Sequence, residues 1–248
     1  MSKTHLIIGD PHARPGQSLR RFAWLGRMIR ALAPDVVIDV GDQASMDSLS
    51  SYDKGKASGE NKRYHKDIDA AWEAQELVAN ETGKMKVQPR FIRTLGNHEN
   101  RINRFVSDTP ALQGELSTDD LGGADYGWEV RPYQDVVTVD GVDYSHTYAA
   151  GIMNRPISGM HQAHALIHKR HRTSVCGHSH LLDHRVMRMD DGRQLHGLVA
   201  GCFFEHREGY AGPANGMWWR GICVLKDVRG GRFDLETYSI DRVRKGWG

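Results

Sequence analysis

The sequence has few cysteines, little net charge and no long apolar run, and each absence narrows the class of protein. The three cysteines are widely spaced and odd in number, which favours reduced thiols over a disulfide framework. The formal net charge is +2, too small to predict nucleic-acid binding from composition. No run of about 18 apolar residues occurs, so we expect no membrane span. These features together predict a cytoplasmic protein.

Histidine, in contrast, is abundant, with 14 copies in 248 residues. Several copies stand beside Asp, Asn or Gly at points where strands are predicted to end. Because imidazole near neutral pH is both a metal ligand and a proton carrier, these positions are candidates for a functional site.

The order of apolar runs predicts an α/β fold. "HLIIGD" and "DVVIDVGD" are short apolar runs closed by Gly-Asp, and residues 18–33 between them have helical spacing, which indicates a βαβ unit and a parallel sheet. The second half alternates like antiparallel strands, with hairpin turns at Asp140-Gly141 and Asp191-Gly192. The length suits one domain spanning residues 1–248. The polar stretch at about 45–88 is predicted to be a surface excursion that caps a site.

Polar residues of similar chemistry follow five predicted strands. Because the carboxyl ends of strands line the ligand crevice in open α/β sheets, we expect these side chains to converge. The set is Asp10, His12, Asp42, Asn97, His98, His146, His178 and His180. Oxygen donors mixed with imidazoles suit manganese, our first choice, or iron, zinc or nickel better than magnesium or calcium.

The number of candidate ligands predicts two metal ions. A single site uses about three or four protein ligands, and this set is larger. Two cations about 3.5–4 Å apart that share a carboxylate would use it, and a bridging hydroxide would be the nucleophile.

The motifs carry a family resemblance. "GDPH", "GD", "GNHE", "SH" and "GHSH", in this order over roughly residues 4–185, resemble the signature of the calcineurin-like metallophosphoesterase superfamily. The chain looks most like its small bacterial and phage phosphoesterases. The resemblance implies a four-layer αββα sandwich of two mixed β-sheets flanked by helices.

The resemblance also implies a role for each residue of the set. One metal would be bound by Asp10, His12 and His180, and the other by Asn97, His146 and His178. Asp42 would bridge both metals, and His98 would donate a proton to the leaving group or stabilise the phosphoryl oxygens. Glu99 is expected to cap the following helix or to orient His98. Asn97 and His98 would also contact the substrate.

The predicted function is hydrolysis of phosphate esters by a metal-bridging hydroxide, with a preference for phosphodiesters such as nucleotides or nucleic acid. The preference rests on "GDQASMDS", which lacks the arginine that follows this motif in the Ser/Thr protein phosphatases, and on the aromatic and basic loops. The alternatives are a phosphomonoesterase acting on a small substrate and a metal-binding scaffold without catalysis. No membrane and no obligate protein partner are indicated.

Four further features allow both a functional and a structural reading. Arg101 could clamp a phosphate, because its guanidinium fork matches phosphoryl oxygens, or lie at the surface. The basic stretch 60–66 could cover an anionic substrate or be a solvated loop. Adjacent Trp218 and Trp219 could place one ring in the core and one on a substrate. Two interpretations apply to the histidines of the fourth feature, which could form a second metal site or a solvated helix face: His161, His164, His168 and His171.

Overall fold

The computed structural model describes residues 2–248 and has two large β-sheets with helices on both outer faces, and a small sheet of β7 and β8. The strands are β1 (Lys3–Ile8), β2 (Val36–Asp39), β3 (Arg90–Thr94), β4 (Glu129–Arg131), β5 (Val137–Val139), β6 (Val142–Tyr144), β7 (Ala149–Ala150), β8 (Arg155–Pro156), β9 (Ser174–Cys176), β10 (Leu182–Arg188), β11 (Gln194–Ala200), β12 (Gly221–Arg229) and β13 (Arg232–Ser239). The helices are α1 (Arg20–Leu32), α2 (Tyr64–Thr82), α3 (Asn100–Asp108), α4 (Gln162–Arg170) and α5 (Ile240–Trp247). Within residues 2–248, no helix combines the length and apolar character needed to cross a bilayer.

Both large sheets are mixed. The first has the order β13-β12-β1-β2-β3-β4, with β1 to β4 parallel and β12 antiparallel to β1. The second has the order β10-β11-β9-β6-β5, with β11, β9 and β6 parallel. The predicted βαβ unit is β1-α1-β2, and both predicted hairpin turns are present, between β5 and β6 and between β10 and β11. The prediction of two mixed sheets flanked by helices is therefore confirmed.

Alternating side chains on β1 show how the layers form. Leu6 and Ile8 pack with the apolar residues of α1, α2 and α5, whereas Ile7 packs between the sheets with residues such as Val142 and Leu198. On the far side of the second sheet, Leu166 of α4 packs against β9 and β11. This alternation follows from the two-residue period of a strand and produces the αββα order of layers.

The segment 45–88 contains both an irregular part and a regular part. Helix α2 buries Ala70, Ala74 and Val78 in the same cluster as Leu25 of α1, so this half of the segment belongs to the outer helical layer. Residues 45–63 form turns and loops, without a helix or strand longer than three residues. Their predicted role as a cap stays a prediction.

Candidate metal centre

The eight candidate residues all follow the carboxyl ends of parallel strands: β1, β2 and β3 in the first sheet, and β6 and β9 in the second. The loops after β1 and β2 are joined by backbone hydrogen bonds. His12 N donates to Asp42 O at 2.9 Å, and Ser45 N donates to Ala13 O at 2.9 Å. The two sheets thus bring their loops to one edge of the sandwich.

Asp42 lies at the centre of the cluster. Its Oδ2 is 3.3 Å from His146 Nε2 and 3.9 Å from both His12 Nε2 and His98 Nε2. Its Oδ1 accepts a hydrogen bond from the backbone N–H of His98 at 2.9 Å. This central position is the one that a bridging carboxylate would need.

The remaining candidates surround Asp42. Asp10 Oδ2 lies 3.1 Å from His180 Nε2, and Asp10 Oδ1 lies 3.7 Å from His146 Nδ1. His146 Nε2 is 2.9 Å from Asn97 Oδ1 and 3.2 Å from His178 Nδ1. The structure therefore brings all eight predicted residues into one cluster.

The hydrogen bonds leave several lone pairs pointing into the cluster. His146 Nδ1 lies 2.9 Å from Val40 O, which can only accept, so Nδ1 carries the proton and Nε2 presents a lone pair toward Asp42. Asp10 Oδ1 and His12 Nε2 are buried and have no hydrogen-bond partner within residues 2–248. Buried acceptors that converge without a donor are the arrangement that a cation stabilises.

Burial also disfavours charge on the cluster residues themselves. It raises the pKa of Asp10 and Asp42, and it lowers the pKa of His12 and His146 and, to about 4, that of His180. Among the side chains of residues 2–248, only imidazoles lie within ion-pair distance of the two carboxyl groups. A bound divalent cation would supply the missing positive charge, so the donor set fits a metal centre.

Many of these residues have left-handed backbone conformations. Positive φ values between 36° and 73° occur at Asp10, His12, Asp42, His178 and His180. Non-glycine residues adopt such values rarely, and strained residues of this kind concentrate at functional sites. The loops are therefore shaped to aim these side chains inward.

Two glycines allow the loops to approach each other. A Cβ on Gly96 would collide with the backbone nitrogen and the Oδ1 atom of Asp42, and a Cβ on Gly177 would collide with Asp10 Oδ1. The glycines that begin "GNHE" and "GHSH" are thus required, because each packs closely against a carboxylate of the cluster.

Glu99 does not cap α3, which was one of its two predicted roles, and the other role, orienting His98, stays a prediction. It makes no side-chain cap on α3, and instead its buried carboxylate accepts three backbone hydrogen bonds. The donors are the N–H groups of Asp42 at 3.1 Å, Ala44 at 2.9 Å and Gly96 at 2.6 Å. The capping prediction is wrong because these amides, brought close by the parallel strands, outcompete the helix terminus. Glu99 thus fixes the loops that carry Asp42 and Asn97.

His98 lies at the rim of the cluster beside Arg101. Its Nδ1 is 2.7 Å from Ser45 O and therefore carries the proton, whereas Nε2 lies 3.3 Å from Arg101 Nη2. Burial, together with Arg101, lowers the pKa of His98 well below its usual value. His98 also forms a group of potential ligand atoms with His12 and Asp42, all within 4.8 Å of one another.

Arg101 forms hydrogen bonds within the protein. Its Nη1 donates to Ser45 O at 2.9 Å and to Met46 O at 3.3 Å, so the guanidinium holds the loop after β2. Its predicted contact with substrate stays a prediction.

The tryptophan pair divides between the core and the cluster. Trp219 packs between the sheets, and the ring of Trp218 lies edge-on to His180, with 4.5 Å between ring centroids. The adjacent tryptophans were the sequence signal for this contact.

Sequence reasoning missed an ionic link beside the cluster. Arg14 contacts Asp47 and also donates to Glu208 Oε1 at 3.0 Å, and Glu208 in turn lies 2.9 Å from His206 Nε2. Because Arg14 and Glu208 are 194 positions apart, no local pattern pointed to the pair. The link ties the loop after β2 to the loop before β12.

The four histidines near α4 lie apart from the cluster. All four are exposed, and within residues 2–248 none of them belongs to a group of three potential metal ligands. The rings of His164 and His168 lie 4.2 Å apart by their centroids. These observations favour a solvated helix face over a second metal site.

Comparison with known proteins agrees with this geometry. Residues 4–193 match the family described as Metallophos, calcineurin-like phosphoesterase. The chain belongs to the calcineurin-like phosphoesterase family. This family is divalent-metal dependent and consists of phosphoester hydrolases, and its matched region contains every residue of the cluster.

Two solved structures are similar over nearly the whole chain. Yfce, a phosphoesterase from E. coli, is 11% identical, with 96% of this chain and 93% of that chain covered and a TM-score of 0.42. TT1561 of Thermus thermophilus is 9% identical, with 97% and 100% covered and a TM-score of 0.45. A search of curated proteins gives no match.

Proposed function

We propose that the chain is a dinuclear metal-dependent phosphodiesterase. The observation that carries the proposal is the convergence of unpartnered buried polar atoms, Asp10 Oδ1 and His12 Nε2, around a central Asp42. One metal would be held by Asp10, His12 and His180, and the other by Asn97, His146 and His178, with Asp42 shared. Manganese is the first choice, because the donors mix carboxylate, amide and imidazole.

Divalent cations held there would polarise the phosphoryl group and activate a water for in-line attack. The protein's own residues position the substrate. His98 would first take up a proton at Nε2, on the side of α3, and then pass that proton to the departing oxygen, while its Nδ1–H bond to Ser45 O fixes the ring. Asn97 lies beside His146 and would also contact the phosphate.

The preference for diesters rests on a separate feature. It rests on the segment after Asp42, which begins with the buried Gln43 and lacks the phosphate-binding arginine that protein phosphatases have there. A phosphomonoesterase is the alternative, since a small substrate needs no more than the cluster and His98.

The proposal extends to organisation and location. We place all of the chain in one domain, with residues 45–88 beside the site, and we place it in the cytoplasm because its three cysteines are buried free thiols. Small phosphate esters, nucleotides or nucleic acid are the proposed substrates, and no obligate protein partner is needed.

Elemental analysis and turnover test the proposal together. We expect close to two metal ions per chain after manganese loading, and faster hydrolysis of bis(p-nitrophenyl) phosphate than of p-nitrophenyl phosphate. Asp42→Ala should abolish both metal binding and turnover, whereas Asp69→Ala, at an exposed position of α2, should change neither. Monoester-only turnover would refute the diester preference. Metal binding without any turnover would support the scaffold alternative.

A further inference from the structure

A cavity of about 830 Å³ lies beside the candidate metal centre, between residues 47–60 and α3. Its volume is within the range of about 300–1,000 Å³ that is typical of ligand pockets. Arg101 lines the cavity and contacts His98, with 3.3 Å between Arg101 Nη2 and His98 Nε2. A substrate with its phosphate at Asp42 would therefore extend past His98 into this cavity.

Helix α3 supplies one wall. Ile102 is the buried residue of α3, and four side chains at spacings of three and four line the cavity: Arg101, Arg104, Phe105 and Asp108. Phe105 is 38% exposed, so a large part of its ring is free for contact. An aromatic ring in such a wall can stack on a nucleobase.

Basic side chains on both walls suit an anion. Three exposed basic side chains that form no ion pair within residues 2–248 line the cavity: Lys54, Lys56 and Arg104. Of the acidic side chains in the lining, Asp47 pairs with Arg14 and with Arg101 of the lining, and Asp53 pairs with Lys62. The free basic groups thus outnumber the free acids, which are Glu60 and Asp108.

We infer that this cavity binds the nucleotide on the leaving-group side of the scissile phosphate in a single-stranded nucleic acid. The base packs on Phe105, and the next phosphate lies against Arg104 and Lys54. The inference deepens the proposed function, on which it rests for the position of the scissile bond. Stacking plus a basic wall is the combination that binds single strands with little sequence preference.

Binding without metal tests the inference separately from catalysis. The probe is a fluorescein-labelled hexathymidylate, and its anisotropy is followed in EDTA at several salt concentrations between about 50 and 200 mM. The matched control is Arg188→Ala, an exposed arginine at the far end of β10. Phe105→Ala should weaken binding about tenfold, and Phe105→Tyr should restore it because the ring is kept. Arg104→Ala should reduce the slope of log K against log salt by about 0.7.

Either of two results would overturn the inference: no binding by the wild-type protein at the lowest salt, or equal affinity and equal slope in the Phe105, Arg104 and Arg188 variants. Far-UV circular dichroism checks that each variant folds. Turnover of bis(p-nitrophenyl) phosphate with manganese is measured in parallel. Its absence in the wild type would refute the proposed hydrolysis while leaving nucleotide binding in the cavity established, so the two ideas can fail independently.

Discussion

Glu99→Gln perturbs the structure behind the metal centre without replacing a proposed ligand. The carboxylate accepts from the N–H groups of Gly96, Asp42 and Ala44 at 2.6, 3.1 and 2.9 Å. A glutamine oxygen in the position of Oε2 keeps the first two bonds, but its NH₂ group then faces the N–H of Ala44, so two buried donors meet without an acceptor. Burial raises the pKa of Glu99 to about 8, so loss of charge is not what the change tests near neutral pH. A buried donor left unsatisfied costs about 1–3 kcal/mol, and with two such donors we expect a loss of about 2–4 kcal/mol of unfolding free energy.

Two measurements check this prediction. Urea unfolding of the metal-free protein gives the free energy, and isothermal titration with Mn²⁺ gives the affinity, which should fall by about 10- to 100-fold because the Asp42 loop is no longer fixed. Glu115→Gln, at an exposed position, is the matched control. If Glu99→Gln stays within about 0.5 kcal/mol of the wild type, the ordinary range of surface changes, and binds Mn²⁺ as tightly, the reasoning fails.

Two more predictions concern groups outside the cluster. Arg21 is buried and donates to four carbonyl oxygens, one of them on His12. Arg21→Met should therefore lower the free energy of unfolding in urea by about 3–5 kcal/mol. The matched change at the exposed neighbour, Arg20→Met, should lower it by less than about 0.5 kcal/mol. Burial lowers the pKa of His196 to about 4, so between pH 6.5 and 4 the folded state binds fewer protons than the unfolded state and stability falls as the pH falls. The pH dependence of the unfolding free energy gives the number of protons taken up on unfolding, and His196→Gln should lower that number by up to one. The exposed change His65→Gln should leave it unaltered. Equal pH dependence in the two variants would contradict the assignment.

The fold could be predicted where local sequence determines structure. β1 and β2 are continuous apolar runs with both faces covered, and α1 has a clear helical period, so their type and order follow from pattern alone. The sequence predicts a pair of strands over residues 128–146, but the part that forms β4 pairs with β3 at the edge of the first sheet, because three mostly exposed residues carry little pattern to show which sheet they join.

The membership of the site could be predicted for a different reason. Each candidate follows a strand end, and parallel strands bring their carboxyl ends together whatever lies between them in the chain. The supporting contacts could not be predicted. Glu99 binds amides more than 50 positions away, and Arg14 pairs with Glu208 across 194 positions, so these partners depend on tertiary packing that leaves no periodic signal.

The left-handed residues of the metal centre have a consequence for folding. Each costs on the order of 1 kcal/mol in backbone free energy, and five such residues together approach the net stability of about 5–15 kcal/mol that a domain retains. Cations that bind only the native loops would offset this cost by mass action. The supply of metal during synthesis would then determine what fraction of the chain is folded. Selection for thermal stability alone would tend to replace these residues by ones with an unstrained backbone.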